Sequence, residues 1–252
     1  MGRMNAPSSP SPASPASTAA ADGTTVVRID FVSDVSCPWC AIGLHALEAA
    51  LQRVAPGIQA EIHLHPFELN PQMVPQGEDT IEHLTRKYGR SADELRATQD
   101  MIRERGAAVG FEFRQGARSR IYNTFDAHRL LAWAETVQGD SAPAGAALAL
   151  KHALLRAYFT EGLNPGDREL LAQRAAACGL DEAQARAVLA SDRHADEVRE
   201  RERQVSELGI HSVPAVILNQ RWLISGGQPV EVFERSLREA AAAPQPESDP
   251  PA

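Results

Sequence analysis

Residues 37–40 read Cys-Pro-Trp-Cys, and two thiols at this spacing can close a disulfide and exchange it with a substrate. The flanking elements suit that chemistry. An apolar strand, Val26-Val27-Arg28-Ile29-Asp30-Phe31-Val32, comes just before, and Ile42, Leu44, Leu47, Leu51 and Val54 follow at helical spacing. A Cys-x-x-Cys where a strand hands over to a helix marks a thiol–disulfide redox site. The first turn of a helix offers unpaired N–H groups and a partial positive charge, and both favour thiolate over thiol. Cys37, at the helix start, is then the exposed nucleophile, with the pKa of roughly 3.5 to 7.5 that such surroundings confer. Cys40 lies one turn in and more shielded. Pro38 suits the first turn, where its missing N–H is not needed and its φ is already helical, and Trp39 is placed to cover the site from one side.

The competing readings of the cysteines are weaker. A structural zinc needs four ligands, and the chain has no second Cys-x-x-Cys to complete a set, so no metal is expected. A purely structural disulfide between cysteines three apart on one helix is disfavoured. Cys178, in Ala-Ala-Ala-Cys-Gly-Leu, has no partner nearby and reads as a small core residue of a helix.

Composition frames this lead. With 252 residues, 43% of them hydrophobic, the chain can bury a full core in one domain, or in one domain carrying a large insertion. A net charge of −8 argues against nucleic acid or an anionic membrane surface as partner. No apolar run approaches the roughly 20 residues that span a bilayer. Three cysteines are too few for a disulfide scaffold. Residues 1–23 are mostly Ser, Pro and Ala, without the apolar stretch of a secretory signal, and are expected to be a disordered tail, as are residues 244–252. The default location is the cytoplasm, where a Cys-x-x-Cys is more often catalytic than structural.

Further along, Ile58, Ala60, Ile62, Leu64 and Pro66 alternate with Gln59, Glu61, His63 and His65, the period of a half-buried strand. His63 and His65 share one face, which admits a metal pair or a polar sheet face under helices. Phe67-Glu68-Leu69-Asn70-Pro71 turns the chain out of the sheet. Helices are expected over 80–88, 92–109 (Ser91 as cap, Gly110 as stop), 124–137, 144–158, 167–178 and 181–189, with Phe111-Glu112-Phe113 as a short extended contact. The charged stretch 192–208 reads as a solvated helix with i,i+4 pairs. Strand character returns at 213–218, pairs back at 221–224 after Asn219-Gln220, and a helix over 229–242 closes the chain. With the middle helices set aside, β-α-β and β-β-α remain, the arrangement of a thioredoxin-like α/β fold. Residues 24–72 and 193–243 would build it, and 73–192 would be a large inserted all-helical domain.

A family resemblance becomes specific at this point. Asp34-x-x-Cys37-Pro38-Trp39-Cys40, Phe67-x-Leu69-Asn70-Pro71, Asn123-Thr124-x-x-Ala127-His128-Arg129, Val213-Pro214 and Ser225-Gly226-x-Gln228 occur in this order. Together, over residues 25–243, they resemble the DsbA-like thioredoxin-fold proteins of the FrnE type. The superfamily also holds 2-hydroxychromene-2-carboxylate isomerases and kappa-class glutathione transferases, which typically carry serine where this chain has Cys37. Keeping both cysteines favours dithiol chemistry. The alternative is a glutathione-dependent isomerase or transferase acting on a small hydrophobic substrate, and a non-enzymatic rival is a chaperone-like binding protein.

The resemblance implies roles by position. Cys37 would attack or be attacked through a mixed disulfide, and Cys40 would resolve it. Pro214 would be a cis-proline facing the motif, exposing the backbone of Val213 to a substrate strand; an ordinary trans proline at a strand start is the other reading. Asp34 would assist proton transfer to Cys40, or simply be an acid at a strand end. Asn123, His128 and Gln228 would belong to the substrate groove, His128 either stabilising a thiolate or serving as a core or capping histidine. The implied partners are protein thiols and disulfides or small-molecule thiols, with glutathione as an electron partner and no bound cofactor beyond the Cys37–Cys40 disulfide. A homodimer is compatible with the family.

Overall fold

The computed structural model describes residues 24–137 and 142–243, so the expected tails, 1–23 and 244–252, lie outside the described residues. In chain order the first elements are β1 (Thr25–Ser33), α1 (Pro38–Val54), β2 (Ile58–Pro66), β3 (Glu78–Asp79), α2 (Thr80–Tyr88), α3 (Ala92–Ala108) and β4 (Arg120–Ile121). Then come α4 (Phe125–Thr136), α5 (Ala146–Arg156), α6 (Arg168–Ala177), α7 (Glu182–Leu189), α8 (Ala195–Glu207), β5 (Ala215–Leu218), β6 (Trp222–Ser225) and α9 (Val230–Ala242). The main sheet has the order β2-β1-β5-β6. β1 and β2 are parallel, which demands a crossover, and α1 supplies it; the β1–β5 and β5–β6 pairs are antiparallel.

β1 shows why its sequence makes a central strand. Val27, Ile29 and Phe31 are fully buried in the main core, while Val32 joins Val205, Ile210 and Ala215 in a smaller cluster. Alternation along the strand thus feeds two apolar layers, one per face. The main core continues without a break through Leu44 and Leu47 of α1, Leu130 of α4, Leu150 and Leu154 of α5, Leu171 of α6, Val188 of α7 and Leu237 of α9. Helices α4 to α7, between β2 and β5, therefore share the sheet's own core. No helix among the described residues is long and apolar enough to cross a membrane.

The helix starts follow from their caps. Asp79, Asp167 and Asp181 accept N–H groups of the turn that follows, and Ser91 and Glu94 form a reciprocal capping box. Elsewhere the structure departs from the sequence expectations. Phe111-Glu112-Phe113 is not a strand: Phe111, Phe113 and Phe159 stack edge to face, with centroids 4.7–6.3 Å apart, so aromatic packing and not a ladder orders it. The ladder in this region is the two-residue β3–β4 pair, too short to leave a periodic trace. The helix expected through 158 ends at Arg156 and continues as a π-helical turn, Ala157–Glu161.

Two charged features also resolve differently. α8 is not merely a solvated helix: Arg199 pairs with buried Glu68, and Arg201 Nη1 lies 2.8 Å from Glu135 Oε2, so its charges tie it to the body. Of the β2 histidines, His65 Nε2 lies 2.8 Å from Asp30 Oδ1, while His63 Nε2 is buried without a hydrogen-bond partner. Among the described residues neither belongs to a group of three or more possible ligands.

Candidate active site

Cys37 is the N-cap of α1, with φ −91° and ψ 116°, and Pro38 occupies the first helical position. The chain is extended up to Cys37 and helical after it; the Cys40 and Ala41 N–H groups bond back to the Cys37 carbonyl at 3.1 and 3.4 Å, and the Cys40 N–H also lies near enough to the Cys37 sulfur to favour its thiolate. Both motif cysteines are free thiols. The Val213–Pro214 peptide is cis, and Cys37 Sγ donates to the Val213 carbonyl at 3.6 Å. Close approach here requires glycine at two positions. A Cβ on Gly43 would stand 3.1 Å from the Pro214 ring, and one on Gly227 would stand 2.9 Å from the Trp39 carbonyl. The Ser225–Gln228 turn is itself tied to the proline loop, Gly226 N–H donating to the Pro214 carbonyl at 2.8 Å.

The two thiols diverge electrostatically. The Cys37 pKa is lowered, chiefly by hydrogen bonding from the Cys40 thiol, against the cost of burial, and further by the Cys40 N–H and the charge of Arg118. Cys40 is pushed well up, first by burial and then by the neighbouring Cys37. Arg118 is held over the site by its bonds to Tyr158 Oη and to the Ser36 carbonyl, each 3.3 Å. Beneath the motif lies Lys151 of α5, 1% exposed, whose pKa is lowered by burial and restored in part by the charges of Cys40, Asp34 and Cys37.

Asp34 is fully buried and accepts the N–H groups of Ser36 (2.9 Å) and Leu69 (2.7 Å). Burial favours its neutral form, but His128, whose Nε2 lies 3.7 Å from Asp34 Oδ1, and the two N–H donors bring the pKa down to about 2. At 3.7 Å the histidine acts as a neighbouring dipole or charge and not through a hydrogen bond.

A groove of about 600 Å³ opens over Cys37. Its floor is Cys37, Pro38 and Trp39. One wall is the 67–69 segment with α2 and α3, contributed through Leu84, Lys87, Leu95 and Ile102; the other is the proline loop, His211 to Val213. Lys87, Arg90 and Arg118 give the groove a basic lining.

The sequence pattern of the DSBA-like thioredoxin domain matches residues 28–238, from β1 to within α9. The chain belongs to the DSBA-like thioredoxin family. It is similar to a probable DsbA oxidoreductase from Streptomyces coelicolor, at 34% identity, covering 88% of this chain and 93% of that one with a TM-score of 0.77. The uncharacterized protein YwbO of Bacillus subtilis is 26% identical over 212 residues, 84% of this chain and 96% of that protein. The fold is shared with the cytosolic disulfide reductase DsbM of Pseudomonas aeruginosa, whose structure contains glutathione, at 20% identity, 84% and 98% coverage and a TM-score of 0.57.

Within this DSBA-like site, the structure brings Cys37, Pro38, Trp39 and Val213 together in the groove, with Pro214 and Cys40 packed directly behind. Three other predicted residues stand elsewhere. Asn123 is not among the groove-lining residues; it donates to Glu68 Oε1 (3.3 Å) and caps α4 by accepting the Phe125 N–H. His128 is buried against Asp34 and not against the thiols. Gln228 closes its own turn through the Ser225 carbonyl at 2.7 Å. The Asp34 carboxylate is turned to Ser36 and Leu69, and it is the Asp34 main chain that bonds to the Cys40 thiol. Cys37 itself is 3% exposed, so the expected exposed sulfur is in fact recessed in the groove floor. Arg118 and Lys151 were not legible, because each reaches the motif from a distant part of the helical segment.

Selective labelling tests this electrostatic picture. Because the Cys37 pKa is lowered, its thiolate persists to a lower pH than that of Cys40 or Cys178, both of which burial raises. A short iodoacetamide pulse at pH 6, followed by peptide mapping, is expected to modify Cys37 first, since an ordinary thiol of pKa about 8.5 is nearly inert there. Faster labelling of Cys40 or Cys178 overturns the assignment.

Proposed function

We propose that this DSBA-like protein is a thiol:disulfide oxidoreductase in which Cys37 is the nucleophile and Cys40 the resolving thiol. The observation that carries the reading is geometric: Cys37 caps α1 at the groove floor beside the main chain of Val213, with Cys40 fully buried one turn behind it, surroundings that lower the pKa of the first thiol and raise that of the second. The Cys37 thiolate attacks a substrate disulfide; one substrate sulfur leaves and takes a proton, and the other stays bonded to Cys37. Cys40 then gives up its proton and attacks Cys37, expelling the second substrate thiolate and leaving the Cys37–Cys40 disulfide. Two electrons pass from the protein to the substrate, and an external thiol pair must return them.

The groove residues Lys87, Arg90 and Arg118, which outnumber the acidic Glu68, support glutathione, with its two carboxylates, as that electron donor, and a glutathione-coupled cycle would have a reducing compartment such as the cytoplasm as its setting. An extended substrate segment would pair with the main chain beside Val213. Insulin reduction tests the reading. With catalytic amounts of protein, glutathione is expected to drive precipitation of the insulin B chain well above its uncatalysed rate. No acceleration with glutathione or with dithiothreitol, together with turnover of a small hydrophobic compound in the presence of glutathione, overturns it in favour of an isomerase or transferase.

A further inference from the structure

Two turns into α1, beyond the dithiol, His45 and Glu48 stand one helical turn apart, and His152 of α5 meets them from across the helix pair. His152 Nε2 lies 2.7 Å from Glu48 Oε1, and the two imidazole rings meet edge to face with centroids 5.1 Å apart. One donor atom from each of the three side chains lies within 4.8 Å of the other two. We propose that His45, Glu48 and His152 bind a divalent transition-metal ion of the zinc class, at a site separate from Cys37 and Cys40.

Two imidazoles and one carboxylate form a donor set that zinc takes with a water as fourth ligand. His45 supplies the independent observation. Its Nε2 is buried and has no hydrogen-bond partner, while the Val109 carbonyl accepts a hydrogen bond from the same ring. A histidine that donates one ring N–H to a backbone carbonyl has its tautomer set, so the other nitrogen presents a lone pair in a fixed direction. Left unpaired, that nitrogen has lost its water without replacement; an ion would satisfy it.

The surroundings fit as well. Phe111 packs on His45 at 5.0 Å between centroids and makes one side of the cluster apolar. Glu48 and His152 retain 29% and 28% of their side-chain surface, leaving an open side for a water ligand and for entry of the ion. Zinc–ligand bonds of about 2.0–2.2 Å in a tetrahedron hold the donor atoms about 3.3–3.5 Å apart, so His45 draws in while Glu48 Oε1 and His152 Nε2, now 2.7 Å apart, open slightly. The hydrogen bond between His152 and Glu48 gives way to coordination, His152 binding the ion through one ring nitrogen and carrying its N–H on the other. Because α1 begins at Cys37, an ion here would pin the helix that carries the dithiol to α5 of the helical segment.

The test uses the full chain with Cys37 and Cys40 oxidised to their disulfide, which removes the thiolates as competing ligands. Titration with Zn²⁺ by calorimetry, and with Co²⁺ by visible absorption, is expected to show one equivalent bound with a four-coordinate cobalt spectrum, and Zn²⁺ is expected to raise the Tm. His45→Gln and His152→Gln should each weaken binding by at least about tenfold and abolish the Tm rise. His211→Gln, which changes a histidine outside the cluster, should leave both intact. Circular dichroism of the metal-free variants establishes that they are folded, and Glu48→Gln gives a third, conservative probe. Absence of binding, or binding that survives both His45→Gln and His152→Gln, overturns the proposal.

Discussion

Cys40→Ser protein is expected to accumulate covalent adducts with substrate proteins or glutathione, visible as mass increases that dithiothreitol removes, whereas Cys37→Ser protein forms none. The reason lies in the order of the two displacements. With Cys40 gone, Cys37 still attacks and becomes bonded to one substrate sulfur, but no internal thiol can expel that sulfur, so the mixed disulfide persists. With Cys37 gone, the remaining Cys40 sulfur is fully buried and its pKa is pushed well up by burial, so it has neither access nor thiolate. Insulin reduction should fall to background in both variants, for different reasons that the mass spectrum separates. Cys37→Ser also places at this position the residue typical of the glutathione-dependent isomerases. Full turnover of a small substrate by that variant, with no adducts in Cys40→Ser, would defeat the dithiol mechanism and promote isomerisation.

The second large effect is expected at Asp34, as a loss of stability and a changed response to acid. Asp34→Ala removes the acceptor for the N–H groups of Ser36, which is buried, and of Leu69, which is half-buried on the groove wall, leaving both donors without their partner. Each such donor costs about 1–3 kcal/mol, so urea unfolding should show a loss of about 2–5 kcal/mol. The acid response follows from the pKa of about 2 in the folded chain against the ordinary aspartate value of 3.8. Above about pH 4 the carboxylate is ionised in both states and its full contribution is present. Between about 4 and 2 the unfolded chain binds the proton first, so stability falls with pH and the contribution is gone below the folded value. Asp30, bonded to His65 and Arg28 and also brought to about 2 despite burial, adds a second proton in the same window. The slope of unfolding free energy against pH there should be smaller in Asp34→Asn than in the parent by about one proton. An unchanged slope in Asp34→Asn, or a loss under about 0.5 kcal/mol in Asp34→Ala, would show that the carboxylate does not hold this junction.

Much of this architecture is written locally. The strand before Cys37, the helix after it and the junction between them follow from the run Val26–Val32 and the spacing of Ile42, Leu47 and Leu51, because period and capping are properties of neighbouring residues. The helix starts at Asp79, Ser91, Asp167 and Asp181 were legible for the same reason. The cis-proline position and the thioredoxin-like order of strands came from the resemblance together with the β-α-β and β-β-α pattern.

What the sequence could not assign are contacts between segments far apart in the chain. Asn123 and His128 carry family-like spacing, yet their duties, holding Glu68 and standing beside Asp34, depend on how α4 docks on the 67–69 segment. Arg118 and Lys151 have no local pattern at all; a single arginine in a loop and a lysine in a helix acquire meaning only because Tyr158 and the core of α5 bring them to the dithiol. His45 and Glu48 share one helix face by spacing alone, but His152 lies 104 residues from Glu48, so the cluster exists only once α1 and α5 are packed. The sequence by itself determined the dithiol, its helix and the strand segments, since these rest on local periodicity and backbone chemistry. Tertiary packing alone decided the burial and charge around each thiol, because those come from desolvation and Coulomb interactions that act across space and leave no period in the chain.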